Sequence, residues 1–437
     1  PADLVILSIG VRPEGKLARE AGLTIGETGG IKVDRYLRTS DERIFALGDA
    51  VEYEHPITGS PVITYLAGPA NKQGRICANN IAFGATQEYR GSIGTAIAKV
   101  FDLTVATTGA SEKLLLREGM EYKSVVTHGS SHAGYYPDAL PITIKTIFDP
   151  KNAKLLGAQV VGYDGVDKRI DLLASVIRGG GTIFDLTEIE HAYAPPYSSA
   201  KDPVNIAGFV AENVYTGRSR HVQWHSLLSC NFDELMLIDV RTPEEFALGS
   251  IDGAVNIPTY ELRSRLSELP RDKTLVVFCG IGLRAYHSEQ VLRQNGFDDV
   301  YNLSGGYKTY ELAAQKQSNE DIWTGDVIGK DDNIYRAVPG SQGPDSRSDH
   351  NVWDGGNSGT SQNPAQPGIP VVQLDANGLQ CPGPIMKLRK AVEAALPGTV
   401  IEESATDPGF ARDVASWCRM TGNPLLDLQQ DGVKSVA

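Results

Sequence analysis

A series of α/β domains on one chain is the fold class this sequence predicts. Apolar β-branched runs alternate with helix-period segments along most of its length, as strand–helix layers require. With 437 residues the chain exceeds what one hydrophobic core serves, so roughly two to four domains are expected. A stretch over 318–368, rich in Gly, Ser, Asn, Asp, Gln and Pro, cannot bury enough apolar area to offset chain entropy. It reads as a mostly disordered linker before a last small unit.

Composition narrows the class of function. A hydrophobic content of 41% with 22% charged residues is that of a water-soluble globular protein. The net charge of −13, with no basic stripe, argues against nucleic acid as a partner. No apolar run approaches the roughly 18–20 residues that span a bilayer, so no membrane role is expected. The cysteines at 77, 230, 279, 381 and 418 form neither a disulfide framework nor a C-x-x-C metal pair. Reactive thiols in a reducing cytoplasm, with no metal, fit that scatter. The chain opens at Pro1-Ala2-Asp3, already within a strand pattern, and reads as an internal piece of a longer protein.

Residues 1–88 come first. Asp3 to Gly10 has the all-apolar pattern of a buried parallel strand. Thr39 to Ala50 reads as a short strand delivering Gly48 and Asp49 to its carboxyl end, where doubly wound sheets bind ligands. A surface turn is the alternative. With Ile9-Gly10-Val11-Arg12-Pro13, these residues resemble the pyridine nucleotide–disulfide oxidoreductase family. The resemblance implies part of an FAD/NAD(P)-binding doubly wound domain. Thr39, Gly48 and Asp49 would then belong to a flavin motif whose aspartate binds the ribitol of FAD, and Tyr65 to Arg75 would form the helix beneath the flavin ring. Asn71 falls near a substrate-contact position of the family. FAD and NAD(P)H are thereby implied for the full-length protein. The family's two dinucleotide fingerprints and its redox cysteine are not found in this sequence. Cys77 reads as buried core.

Residues 89–217 change character. Strand patterns at Thr95 to Thr107, Tyr122 to Thr127, Ile142 to Phe148 and Leu155 to Val161 surround a turn at Asp149 to Asn152. Helical stretches at Val166 to Arg178 and Ile206 to Tyr215 follow, an α+β arrangement. The segment resembles the same family's dimerisation domain, which implies a homodimer. The loop Glu190-His191-Ala192-Tyr193-Ala194-Pro195-Pro196-Tyr197, continuing to Lys201-Asp202-Pro203, is stiffened by two prolines and supplies Tyr, His and Lys donors. It resembles the coenzyme A-disulfide reductase branch, which includes persulfide and polysulfide reductases. On that likeness Tyr193 reaches the flavin-bearing active site of the opposite subunit, Lys201 helps hold coenzyme A, and Tyr135 stands where a second active-site tyrosine is expected.

Over 222–317 strands and helices alternate in a small doubly wound pattern: Leu235 to Asp239, a loop-and-strand unit at Gly249 to Pro258, a helix at Leu262 to Leu269, Thr274 to Phe278, a helix at Ala285 to Asn295, and Val300 to Leu303. Asp239 at its strand end can accept backbone and arginine hydrogen bonds. At Val276-Val277-Phe278-Cys279-Gly280-Ile281-Gly282-Leu283-Arg284 an apolar strand ends on a cysteine and a helix follows at once. A cysteine so placed faces loop N–H groups and a helix dipole, both of which favour the thiolate. Gly280 to Ala285 also spells G-x-G-x-x-A, but Cys279 heads the loop and no run of further βαβ units follows, so a dinucleotide loop is set aside. Asp239-Val240-Arg241-Thr242-Pro243-Glu244-Glu245-Phe246 and Cys279-x4-Arg284 resemble a rhodanese domain. A six-residue loop implies sulfane-sulfur transfer, with Cys279 as nucleophile, Arg284 orienting loop and donor, and the loop N–H groups, those of Gly280 and Gly282 included, holding the terminal sulfur. Thiosulfate or a persulfide is the expected donor. Cys230 reads as packing at the domain edge.

After the linker, residues 369–437 open on a strand, and Cys381-Pro382-Gly383-Pro384 starts an amphipathic helix to about Ala395. This resembles the TusA-type sulfur-carrier family, a two-layer α/β sandwich whose matching cysteine accepts and passes on persulfide sulfur. A second helix at Gly409 to Thr421 carries Cys418, read as packed beside Trp417. The sequence stops where the family expects a final strand. Taken together, the resemblances imply part of an FAD-dependent coenzyme A-disulfide or persulfide reductase with sulfurtransferase and carrier domains. The alternative is a non-redox sulfur relay, handing sulfur to downstream acceptor proteins, in which the N-terminal part only dimerises.

Overall fold

The computed structural model describes residues 10–228, 234–314, 371–379, 383–407, 410–421, 423–431 and 434–436. The strand expected from Asp3, Cys230, the 318–368 linker and Cys381 lie outside these residues, save for the last residue of that strand.

The first unit contains α1 (Lys16–Glu20), β1 (Ile31–Lys32), β2 (Val51–Glu54), β3 (Pro61–Val62) and α2 (Ala67–Phe83). β1 and β2 pair in parallel and β3 adds antiparallel. Leu37, Val51, Tyr53, Ile76, Cys77 and Tyr89 form its core, so Cys77 is buried as expected. One expectation is corrected here. No strand delivers Gly48 and Asp49; a 3-10 turn (Gly48–Ala50) carries them into β2, and the preceding residues make only an isolated bridge from Phe45 to Arg38. Asp41 explains this, because its carboxylate and carbonyl bind Arg43 and Ile44 locally and turn the chain.

The second unit is an antiparallel sheet flanked by helices: β4 (Ala96–Val100), β5 (Leu103–Gly109), α3 (Glu112–Arg117), β6 (Lys123–Ser130), β7 (Pro141–Phe148), β8 (Leu155–Gly162), α4 (Val166–Gly179), α5 (Ile183–Glu188) and α6 (Pro203–Tyr215). Strand order is β4-β5-β8-β7-β6, which leaves β6 at an edge. The expected single run Thr95 to Thr107 is a tight hairpin, with Phe101 at φ 52° in its turn. α4 buries Val166, Ile170, Leu173 and Ile177, the stripe its periodicity announces. Asp202 caps α6 by accepting from the Val204 N–H, with Pro203 in the first turn.

The third unit holds β9 (His221–Val222), β10 (Leu235–Asp239), α7 (Pro243–Ala247), β11 (Val255–Asn256), β12 (Thr274–Phe278), α8 (Leu283–Gln294), β13 (Val300–Leu303) and α9 (Gly306–Ala314). Its sheet is parallel throughout, in the order β11-β10-β12-β13-β9, and a hydrophobic cluster covers each face. That double burial is why β12 reads Leu-Val-Val-Phe without alternation. The helix expected at 262–269 is instead two 3-10 turns, Leu262–Ser264 and Leu266–Glu268. Pro270 restricts Leu269 to extended backbone and leaves too few residues for a stable α-helix.

In the last unit β14 (Val371–Ala376), α10 (Gly383–Ala394), β15 (Val400–Ala405), α11 (Phe410–Thr421), β16 (Gln429–Asp431) and β17 (Lys434–Val436) build a sheet of order β14-β15-β17-β16 packed against two helices. The expectation that the final strand is missing is therefore wrong: β17 pairs with both β15 and β16. Trp417 and Cys418 lie in this unit's core, as read.

Among the described residues no helix is long and apolar enough to cross a membrane. Nor do these residues contain a group of three or more His, Cys, Asp or Glu able to hold a metal.

Candidate functional site: a cysteine loop and a tyrosine pair

β12 ends at Phe278 and places Cys279 at the mouth of the sheet's carboxyl edge, with only 1% of the residue exposed. Three residues later Gly282 adopts φ 106°, a conformation open to glycine, and α8 begins. The Gly282 N–H points back at the sulfur, 3.2 Å from Sγ. The loop is braced from behind. Tyr307 N–H donates to the Cys279 carbonyl at 2.8 Å and Lys308 N–H to that of Gly280 at 3.0 Å. Asn302 Nδ2 donates to the Gly282 carbonyl at 3.1 Å. Gly306 makes this bracing possible, since a Cβ there would sit 2.5 Å from the Cys279 carbonyl oxygen.

Arg284, in the first turn of α8, donates to both oxygens of Glu245 at 2.7 Å. Burial works against the guanidinium's charge, but the Glu245 carboxylate and the Cys279 sulfur outweigh it and hold Arg284 more firmly protonated than usual. Glu245 is itself fixed by a capping box: its carboxylate accepts from Thr242 N–H at 3.0 Å, and its own N–H donates to Thr242 Oγ1 at 3.3 Å. It is 1% exposed, so this is a buried acid with its oxygens spoken for. Glu245 is not among the site residues the sequence suggests, although the T-x-x-E spacing of Thr242 and Glu245 signals the capping box that fixes it. Asp239 does accept from arginine as expected, taking Arg241 Nη2 at 2.6 Å. The sequence-derived residues Cys279, Gly280, Gly282 and Arg284 thus form one site.

A second group gathers on the antiparallel unit. The hydroxyls of Tyr135 and Tyr193 lie 2.7 Å apart, both on exposed side chains. Contact with the Tyr193 hydroxyl pushes Tyr135 above the ordinary phenol range. The loop carrying Tyr193 is anchored by Asp202, which accepts from Arg169 Nη2 at 2.8 Å and Ser198 Oγ at 2.6 Å, fully buried. Lys201, next to it, is exposed. Beside this loop lies a cavity of about 370 Å³ lined by Lys168, Leu172, Ile189 and His191 among others. The Nε2 of His191 is buried there without a hydrogen-bond partner, and burial pushes its pKa down.

Around the 3-10 turn, Gly48 N–H donates to Gln73 Oε1 of α2 at 2.6 Å. Gly48 sits at φ 82° with open space where a Cβ would project, and the Asp49 side chain is exposed beside the exposed Leu47. An open backbone and a free-standing carboxylate suit the hydroxyl-bearing chain of a flavin. Thr39 is buried and turned inward onto the Asp41 carbonyl at 3.1 Å, so its hydroxyl braces the local turn at Asp41 and not the 3-10 turn at Gly48. Asn71, on α2, spends its amide on the Ala67 carbonyl at 2.9 Å.

Comparison with known proteins matches four separate stretches of the chain. Residues 1–74 match the pyridine nucleotide-disulphide oxidoreductase family and 95–203 its dimerisation domain. Residues 224–313 match the rhodanese-like domain and 372–436 match sulfurtransferase TusA. The chain joins pyridine nucleotide-disulphide oxidoreductase domains to a rhodanese and a TusA domain. The NAD(P)H coenzyme A polysulfide/persulfide reductase of Pyrococcus horikoshii is 38% identical over 203 residues, covering 46% of this chain and 45% of that protein. The coenzyme A disulfide reductase of Staphylococcus epidermidis is 33% identical over 210 residues, 48% of each chain. The chain thus spans about half the length of the curated relatives it matches. Among solved structures, reduced Bacillus anthracis CoADR-RHD superposes with a TM-score of 0.69 at 46% identity, over 72% of this chain and 56% of that one.

Proposed function

We propose that this chain is the sulfur-handling part of an FAD-dependent NAD(P)H:coenzyme A-disulfide or persulfide reductase, in which Cys279 of the rhodanese domain and Cys381 of the TusA domain carry persulfide sulfur. The observation that carries the reading is the Cys279 loop: a sulfur with a loop N–H aimed at it and a clamped arginine beside it. Cys279 thiolate attacks the outer sulfur of a persulfide or of thiosulfate. The donor's S–S bond breaks, the donor leaves as thiolate or sulfite, and Cys279–S–S⁻ remains. Loop N–H groups and Arg284 stabilise the terminal sulfur's charge. An acceptor thiolate then attacks that sulfur and Cys279 leaves as thiolate, so no net oxidation occurs.

Tyr193 and Tyr135 would face a coenzyme A-borne disulfide or persulfide in the reductase site of a homodimer, with Lys201 holding the coenzyme and Asn71 near the substrate. The paired hydroxyls support this, since one can donate while the other accepts. Gly48 and Asp49 would hold FAD, with the buried Thr39 shaping the turn at Asp41 instead of touching the cofactor, and bound FAD would supply the electrons of NAD(P)H for cleaving the disulfide. We place the protein in a reducing cytoplasm, because Cys77, Cys279 and Cys418 are all free thiols. The test is sulfur transfer from thiosulfate or an organic persulfide to cyanide. Cys279→Ala should abolish it; transfer at the original rate would remove Cys279 from the chemistry.

A further inference from the structure

We propose that the Cys279 loop selects its donor: it takes the outer sulfur of a low-molecular-weight organic persulfide, R–S–SH, and turns away thiosulfate, with Ile281 and Leu283 as the side chains that set the choice. The inference rests on the function proposed above, in which either donor serves, and names the class the site is built for.

Charge is the first ground. Arg241 and Arg284, which the carboxyl edge of the sheet presents, are both committed. Arg284 gives both arms of its fork to Glu245 at 2.7 Å. Arg241, itself buried, donates to Asp239 at 2.6 Å and to the Gly249 carbonyl at 2.6 Å, and its guanidinium lies 4.3 Å over the Tyr307 ring. Each arginine is thus matched by a buried carboxylate. Lys308, whose N–H braces the loop, lies close enough to His128 of β6 to be, after burial, the next cause of that ring's lowered pKa. The loop N–H groups and the amino end of α8 are left to hold one charge, that of the Cys279 thiolate. Thiosulfate brings two more negative charges against it, and a protonated organic persulfide brings none.

Shape and polarity point the same way. Cys279 is buried, so a donor must enter by its outer sulfur. In thiosulfate that atom is bonded to a tetrahedral sulfonate, whose oxygens need hydrogen-bond donors. In R–S–SH it is followed by one sulfur and a slim carbon chain. Ile281 and Leu283 flank Gly282, whose N–H points at Sγ, and both are apolar and exposed. Tyr260, on the loop after β11 at the same edge of the parallel sheet, is exposed as well. The two aliphatic side chains let a carbon body shed water, and they offer sulfonate oxygens no donor. In the step itself Cys279 thiolate attacks the outer sulfur of R–S–SH and the donor's S–S bond breaks. R–S⁻ leaves, and Cys279–S–SH remains, free to give its proton to solvent; no net oxidation occurs.

The experiment is single-turnover loading of the full chain, with added sulfur on the Cys279 peptide followed by mass spectrometry. The donors are thiosulfate and the uncharged persulfide of N-acetylcysteine methyl ester. Leu283→Lys and, separately, Ile281→Lys should raise the ratio of the thiosulfate rate to the persulfide rate by about tenfold or more. In the unaltered protein thiosulfate loading should quicken as salt is added, while persulfide loading stays level, because only the dianion is repelled. Both side chains are exposed, and circular dichroism checks the fold of each variant. A ratio unchanged in both folded variants, or thiosulfate loading that slows with salt, overturns the selection. If Cys279 takes sulfur from neither donor, the function proposed above fails instead.

Discussion

At the scale of single residues, the site depends on how one buried acid is held. Glu245 satisfies Thr242 N–H and both nitrogens of the Arg284 fork, and losing its charge leaves the guanidinium with weaker partners. Glu245→Gln should therefore cost about 1.5–3 kcal/mol, the range for hydrogen bonds to charged groups, measured by denaturant unfolding. It should also slow sulfur loading at Cys279. Glu403 of β15 is a different case. It is fully buried, neither oxygen has a hydrogen-bond partner, and burial pushes its pKa up to about 8 from an ordinary 4.5, Lys387 opposing only in part. A raised carboxyl stabilises the fold below the unfolded value and loses that contribution as pH rises toward the folded one. The carrier domain should thus weaken between about pH 4.5 and 8, and Glu403→Leu should flatten that slope in thermal melts. A slope unchanged by the substitution would assign the dependence to another group.

At the scale of elements, the α9 amino end is the brace on the cysteine loop. Gly306 sits at φ 61°, and a Cβ there meets the Cys279 carbonyl oxygen at 2.5 Å and Ile281 N at 2.8 Å. Gly306→Ala should cost roughly 1–3 kcal/mol in strain, and loop displacement should reduce sulfur transfer at least tenfold. Wild-type transfer would mean that the brace is dispensable. This brace also shows where sequence legibility ends. β12 was readable to the residue, because β-branched residues buried on both faces admit no other element. α4 and α8 were readable from their periodicity, to within about two residues at their ends. α9 was not, since Ser304-Gly305-Gly306 reads as a turn and nothing local says that a helix follows. α5 is only six residues long, below what periodicity can register. The Cys279–Arg284 pair was legible because loop and helix are contiguous. The Glu245 partnership was not, since the two residues are 39 apart in sequence and only the tertiary fold brings them together.

At the scale of the whole molecule, the rhodanese domain is fastened to the antiparallel sheet along the edge strand β6. Ser304 Oγ accepts from Val126 N–H at 2.9 Å, Gln223 Nε2 donates to the Ser124 carbonyl at 2.8 Å, and His128 Nε2 meets Thr309 Oγ1 at 2.8 Å. Side chains of one domain thus cap the open edge of the other's sheet. The turn that supplies Ser304 runs directly into Gly306, so the fastening and the loop brace are continuous. Ser304→Ala should cost about 0.5–1.5 kcal/mol and raise hydrogen exchange at Val126; protection equal to wild type would show that this bond does not fasten the domains. The central claim, that Cys279 is the sulfur-bearing nucleophile, has a direct test in mass spectrometry of the full chain after exposure to an organic persulfide. One added sulfur atom on Cys279, absent in Cys279→Ser, is the predicted result. Sulfur found only on other cysteines of the wild-type chain would contradict it.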